Sequence, residues 1–464
     1  MAFTRLSCFH SPCPLPRGGL GRVTKKFEMR NSMTGLLSEP LRLPCGQVLP
    51  NRLAKAAMTE GLGDPLNRAT GRHVKLYGRW ANAGLGLILT GNIQIDRRHL
   101  ERPGNVAIDG PQSSEQLAAL KTWVTAAKAG GARVWAQISH AGRQTPKSVN
   151  PVPSAPSAVK LALPGGQFGD PRAMTGDEIK DTIARFAHAS AISREVGFAG
   201  VQIHSAHGYL LSEFLSPRVN HRTDEWGGSL ENRARLLLET IKAVRAKTGG
   251  DFAISVKLNS ADFQKGGFTN AECLKVVEWL NAAGIDLLEI SGGSYEQPKM
   301  AGLEGLEPSF QEKPRESTRA REAYFIDYAA AIAKVAKIPL MVTGGFRSRA
   351  GMDEALAADA AQVIGIGRPL CGDPLAAKRL LNGETQMLPT YEKTLRVGPG
   401  WLGPNSPITL VKMANGVGAQ GWYCLQLIRM GNGLDPDLRM SLLQAVRNYA
   451  ANEAAAAKAL SRAA

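Results

Sequence analysis

The chain has 464 residues, 44% of them hydrophobic and 21% charged, with 50 glycines and 27 prolines. That composition excludes a wholly disordered chain, and no apolar run approaches the roughly 18 to 20 residues a bilayer helix needs. Lysine and arginine total 56 against 40 acidic residues, a formal charge of +16 that raises the question of nucleic acid.

The first 28 residues form a basic zone with Arg5, Arg17, Arg22, Lys25 and Lys26 against one acid, Glu28. They lack the apolar core and small-residue cleavage site of a secretory signal. The composition fits a disordered tail, an organelle transit peptide, or an upstream start with translation from Met29 or Met33. Residues 1–35 are therefore read as a basic, disordered leader.

From about residue 50 to 370 one pattern recurs: a short apolar run ends in a small or polar residue, loop signals follow, and then a helix-period stretch. The strand runs are Leu53–Met58, Leu85–Gly91, Val134–Ser139, Gly200–His204, Phe252–Asn259, Ile285–Ser291, Pro339–Gly345 and Gln362–Gly367. Between them lie the helix candidates His73–Asn82, Glu115–Ala129, Thr175–Val196, Leu230–Thr248, Ala271–Ala283, Glu322–Ala336 and Ser348–Ala358. Thr175-Gly-Asp-Glu and Ser229-Leu-Glu-Asn carry N-cap chemistry. Eight strands alternating with helices in about 320 residues predict an α/β fold of the (β/α)8, or TIM-barrel, type. A doubly wound sheet would want a Gly-x-Gly-x-x-Gly turn after an early strand, which is missing.

A barrel places its chemistry at the carboxyl ends of the strands. Gly345-Phe346 and Gly367-Arg368 end the seventh and eighth strands, where glycine backbone and an arginine suit a phosphate. His204 and His207 end the fourth strand, with Tyr209 beyond. The pair reads as metal half-site, as capped core histidines, or as N–H donors converging on one oxygen, and the last is favoured. Tyr209 beside them suits proton transfer. Lys257 reads either as a Schiff-base nucleophile or as a fixed charge facing an anionic cofactor edge. Gln137 offers both a donor and an acceptor, as an imide-like ring edge requires.

These residues also carry a family resemblance. His204-Ser-Ala-His-Gly-Tyr209, continuing through Trp226-Gly-Gly-Ser-Leu-Glu-Asn-Arg233, resembles the old yellow enzyme family of FMN-dependent NAD(P)H oxidoreductases. Asn51-Arg52 leading to Ala57-Met58-Thr59, the run Trp135-Ala-Gln-Ile-Ser-His-Ala-Gly-Arg143, and the Gly-Gly-Phe and Gly-Arg-Pro pair do the same, over roughly residues 36–380. The resemblance implies FMN, with NADH or NADPH as hydride donor, and an enone-like small-molecule substrate whose activated C=C bond is reduced. It implies Ala57, Met58 and Thr59 beside the flavin ring and Gln137 at its pyrimidine edge. It also implies Gly345, Phe346, Gly367 and Arg368 at the phosphate, His204 and His207 on the substrate carbonyl, and Tyr209 as proton donor. Lys257 stands where much of the family has arginine, keeping the charge but losing the fork.

Residues 381–464 are an addition expected to pack on the barrel. Trp401-Leu-Gly-Pro404 and Gly421-Trp-Tyr-Cys424 supply its bulk, Gly431-Asn-Gly433 a turn, and Ser441–Ala464 an alanine-rich helix. A dimer contact and an active-site lid are the other readings of this segment. Six scattered cysteines with no Cys-x-x-Cys pair read as reduced thiols of a cytoplasmic protein, with no metal site and no iron–sulfur cluster. The resemblance allows a homo-oligomer. A Schiff-base aldolase using Lys257 and a basic nucleic-acid-binding protein are the alternatives. The spread of basic residues along the chain speaks against nucleic acid, and nothing in the sequence asks for a membrane.

Overall fold

A computed structural model describes residues 35–161, 163, 166–293 and 326–463. Eight parallel strands close a barrel: β1 (Leu53–Lys55), β2 (Leu87–Gln94), β3 (Arg133–Ser139), β4 (Gly200–Ser205), β5 (Ala253–Asn259), β6 (Leu287–Ser291), β7 (Leu340–Thr343) and β8 (Val363–Ile366). Each pairs with the next, and closure comes from β8 against β1, where Ile364 faces Leu53 and Ile366 faces Lys55. The predicted barrel is the observed one.

The barrel is filled by Ala54, Leu89, Trp135, Leu287, Met341 and Val363, with Leu43 and Leu49 in the same apolar cluster. Leu43 and Leu49 come from the antiparallel hairpin Leu41–Arg42 and Val48–Leu49. Gly200 makes room for the Trp135 indole, since a Cβ there would lie 2.9 Å from its Cδ1. A larger cluster lies between the strands and the helices around them.

Those helices are α1 (Gly71–Ala81), α2 (Ser114–Lys128), α3 (Gly176–Glu195), α4 (Leu210–Leu215), α5 (Leu230–Thr248), α6 (Asn270–Ala282), α7 (Ile326–Ala333) and α8 (Arg349–Ala357). Thr175 caps α3 by accepting from the Glu178 amide, and Ser229 caps α5 through Asn232. Residues 322–325 of the predicted seventh helix lie outside the described residues, as do residues 1–34 of the predicted leader.

Two differences from the sequence reading affect the site. The second strand runs on past Gly91 to Gln94, with a register shift against β3 between Leu89 and Asn92. The predicted first strand is shorter, so Ala57, Met58 and Thr59 lie in the loop beyond β1.

After β8 come α9 (Pro369–Gly372), α10 (Ala376–Leu381) and two long helices packed on each other, α11 (Thr409–Gly431) and α12 (Leu442–Ala463). The predicted alanine-rich helix is α12, whereas α11 was not foreseen. The turn between them is tied to α1 by Arg72 Nε donating to Asn432 Oδ1 at 2.9 Å and by an Arg79–Asp435 ion pair at 2.8 Å. No helix among the described residues is long and apolar enough to cross a membrane.

Candidate active site

The strand ends gather the expected polar groups at one mouth of the barrel. Gln137, His204, His207, Tyr209 and Lys257 are all buried there. Ala57, Met58 and Thr59 are half-buried in the loop after β1. Gly345 and Gly367 are half-buried after β7 and β8, next to the buried Phe346 and half-buried Arg368.

The histidines form a chain of contacts across the mouth. Ser139 Oγ lies 3.4 Å from His204 Nδ1, His204 Nε2 lies 3.3 Å from His207 Nδ1, and His207 Nε2 lies 2.6 Å from Ser291 Oγ. Two imidazole nitrogens thus meet at one point, where a ligand oxygen would replace their mutual contact. Burial, and then the nearby Lys257 charge, push both imidazoles well below the ordinary histidine range, so both are neutral. His207 has φ +65° and Gly208 has φ +78°. A histidine held in the left-handed region is a strained turn that re-aims the chain from β4 into α4.

Lys257 lies in an ion pair with the buried Glu289, Nζ to Oε1 3.0 Å. That is the arrangement of a fixed charge, not of an amine nucleophile. Gln202 Nε2 donates to the other Glu289 oxygen at 2.8 Å, and Gln137 Nε2 donates to Gln202 Oε1 at 2.7 Å. A polar ribbon therefore crosses from β3 to β6 just below the mouth. Neither Gln202 nor Glu289 was assigned a role from sequence, although a glutamate inside the apolar run Leu287-Leu-Glu-Ile was a visible signal.

The phosphate-type loops have the required backbone. Gly344 and Gly345 have φ of +120° and +86°. The N–H groups of Gly345, Phe346 and Gly367 make no hydrogen bond among the described residues. Arg368 holds its guanidinium 5.9 Å from the Tyr423 ring of α11. Open amides beside an arginine are a fitting donor set for a phosphate.

Sequence reasoning missed several further residues. Tyr209 Oη donates to the buried Glu101 at 2.7 Å. Glu60, next to Thr59, accepts from the Tyr77 hydroxyl and, at 2.9 Å, from the Gly91 amide. Lys55 on β1 is fully buried, donating to the Leu89 and Ala56 carbonyls at 2.6 and 3.1 Å and lying 4.5 Å from the Trp80 ring. Desolvation pulls its ammonium down to about 8.

Among the described residues one cluster has metal-ligand types, and it is Asp96, His99 and His140 instead of His204 and His207. Its atoms are already engaged. His99 Nε2 accepts from the Ser154 amide at 2.9 Å while Nδ1 faces Asp96 at 3.2 Å, His140 Nδ1 accepts from the Gly142 amide at 3.1 Å, and Arg98 grips Asp96. The cluster staples loops together. Cys45, Cys273, Cys371 and Cys424 are free thiols; Cys8 and Cys13 lie outside the described residues.

Comparison with known proteins decides the family. Residues 37–386 match the NADH:flavin oxidoreductase / NADH oxidase family. The chain belongs to this family. It is the old yellow enzyme group that the strand-end motifs resemble, and its cofactors are FMN and a reduced nicotinamide. An NADH-dependent flavin oxidoreductase of Hypocrea jecorina is 36% identical over 371 residues, 74% of this chain and 88% of the relative. One of Neonectria sp. is 36% identical over 368 residues, 76% of this chain, but the chain spans only 47% of that relative's length. Among solved structures, the old yellow enzyme homologue from Zymomonas mobilis aligns with TM-score 0.62 and 26% identity, over 76% of this chain and 94% of that one. Morphinone reductase gives TM-score 0.62 and 25% identity over 77% and 92%. A 2-naphthoyl-CoA reductase complex, at 24% identity and TM-score 0.70 over 86% of this chain and 58% of that one, shares the fold.

Proposed function

We propose that this chain is an FMN-dependent NAD(P)H oxidoreductase that reduces the C=C bond of α,β-unsaturated carbonyl-type substrates. One observation carries the reading: two neutral histidines in contact through their ring nitrogens, with the Tyr209 ring against His204, lie at the barrel mouth with Gln137 and Lys257.

The donor set fits the cofactor. The amides of Gly345, Phe346 and Gly367, with Arg368, would hold its phosphate. Gln137 and Lys257 would face the pyrimidine edge, and Ala57, Met58 and Thr59 would lie against the ring. When bound, FMN supplies hydride transfer between a reduced nicotinamide and the alkene.

The chain's own residues do the rest. His204 and His207 take the substrate carbonyl oxygen at the point where their nitrogens meet, and their N–H dipoles stabilise the charge that gathers there. Because both imidazoles are neutral, they orient the oxygen without giving up a proton. Tyr209, whose ring centroid is 4.7 Å from that of His204, stands beside that oxygen. It donates its hydroxyl proton to the α carbon. Lys257 keeps a positive charge at the pyrimidine edge, tethered by Glu289.

The test separates the two halves of turnover. With an enone such as cyclohex-2-enone, Tyr209→Phe should lower the rate of substrate reduction at least about 100-fold, in the range of general-acid contributions. The rate at which NADH or NADPH bleaches the flavin should stay unchanged. Wild-type enone reduction in this variant would remove Tyr209 from the role.

A further inference from the structure

Tyr209 is held by a residue that no strand end supplies. The loop after β2 places Glu101 beside the phenol, and Glu101 Oε2 accepts from Tyr209 Oη at 2.7 Å and also from Asn92 Nδ2. Glu101, Asn92 and Tyr209 are all buried. A fixed acceptor within hydrogen-bond reach holds the phenol oxygen in place before substrate arrives. In the transfer step the proton turns about the C–O bond from Glu101 to the α carbon, where the O–H bond breaks as the C–H bond forms.

The loop that carries Glu101 is itself fastened. Asn105 Oδ1 accepts from the Arg102 amide at 3.0 Å, and Gly104 O accepts from the Gly63 amide at 2.8 Å. Arg102, next to Glu101, is buried and forms an ion pair with Glu453 on α12. Its guanidinium lies 5.2 Å from the Tyr449 ring on the same helix. Gly61, two residues beyond Thr59, leaves the space that Arg102 fills; a Cβ there would lie 2.9 Å from the guanidinium carbon. The C-terminal helix therefore reaches Tyr209 through two consecutive loop residues.

We propose that Glu101 is the positioning residue for Tyr209, and that α12 holds Glu101 in place through the Arg102–Glu453 ion pair. The proposal rests on Tyr209 being the proton donor. It gives the segment after the barrel a role in the reaction and not only in covering a wall.

The experiment compares Glu101→Leu, Glu101→Gln, Glu453→Gln and Tyr209→Phe in the FMN-loaded full chain, with cyclohex-2-enone as probe. Glu101→Leu should slow reoxidation by enone about 10- to 100-fold, the scale of a misplaced reacting group, with KM for the enone and the rate of reduction by nicotinamide unchanged. Glu101→Gln, whose amide oxygen still accepts the phenol proton, should stay within about threefold of wild type; Glu453→Gln should slow the same half-reaction by about 3- to 10-fold. Adding Glu101→Leu to Tyr209→Phe should produce no further loss. The melting temperature supplies a second reading without turnover: Glu101→Leu should lower it more in the wild type than in the Tyr209→Phe background. Equal losses in both backgrounds, or full reoxidation rate in Glu101→Leu, would overturn the proposal. Full rate in Tyr209→Phe would instead overturn the donor assignment on which it stands.

Discussion

Lys257 Nζ lies 3.0 Å from Glu289 Oε1, an ion pair enclosed between β5 and β6 with Gln202 holding the second carboxylate oxygen. The lysine charge is thus offset by an acid one strand away, and in the proposed reading, which puts Lys257 at the flavin edge, the field on the flavin would be adjustable from both partners. Glu289→Gln keeps the size of the side chain but removes the offset. It should raise the midpoint potential of bound FMN by about 30 mV, which for a two-electron couple is ~1.4 kcal/mol. Lys257→Gln should lower it by a similar amount. Potentials measured against a reference dye decide this, and a value unmoved by both changes would take Lys257 away from the flavin.

Burial also sets how the fold answers acid. His73 accepts from the Thr70 amide in the cap of α1, and burial lowers its imidazole to about 3. The unfolded chain binds a proton below about 6.5 that the folded chain refuses. Stability from this group is complete above that pH and falls as pH drops toward 3. Urea unfolding should show wild type losing about 1.4 kcal/mol per pH unit relative to His73→Gln inside this window. A pH-independent difference would contradict it.

Lys55 behaves oppositely in range, because its ammonium is the costly form. Its proton is lost near 8 in the folded state and near 10.5 in the unfolded one. Between these values the unfolded chain holds the extra proton, so folding gains stability as pH rises. Wild type should gain up to about 3 kcal/mol relative to Lys55→Met between pH 8 and 10.5, by chemical denaturation. A flat difference would show that the Leu89 and Ala56 carbonyls and the Trp80 ring fully replace water around the ammonium.

The barrel was legible because its strands are buried on both faces and read as short apolar runs. His204 and Lys257 stood out because they interrupt those runs near their ends, and His207 and Tyr209 because they follow directly beyond one. Asn92 fell outside the reading because Gly91 looked like a strand end, whereas the strand continues through a register shift. Glu101 has no periodic signature, since it reaches Tyr209 from a loop. Helix α11 was hidden by its glycines, which lower helix propensity. Two of them are needed where the helices approach: a Cβ on Gly418 would lie 2.6 Å from Leu442 Cγ, and one on Gly421 would lie 2.9 Å from Tyr449 Cβ. Tertiary packing overrides local preference there, and a single sequence does not display the partner helix.

The most direct measurement follows the colour of the purified protein under anaerobic conditions. The expected result is a yellow protein that releases FMN on denaturation, bleaches with NADH or NADPH, and regains its colour when cyclohex-2-enone is added. A colourless protein that does not take up FMN, or a bleached one that the enone fails to reoxidise, would contradict the account.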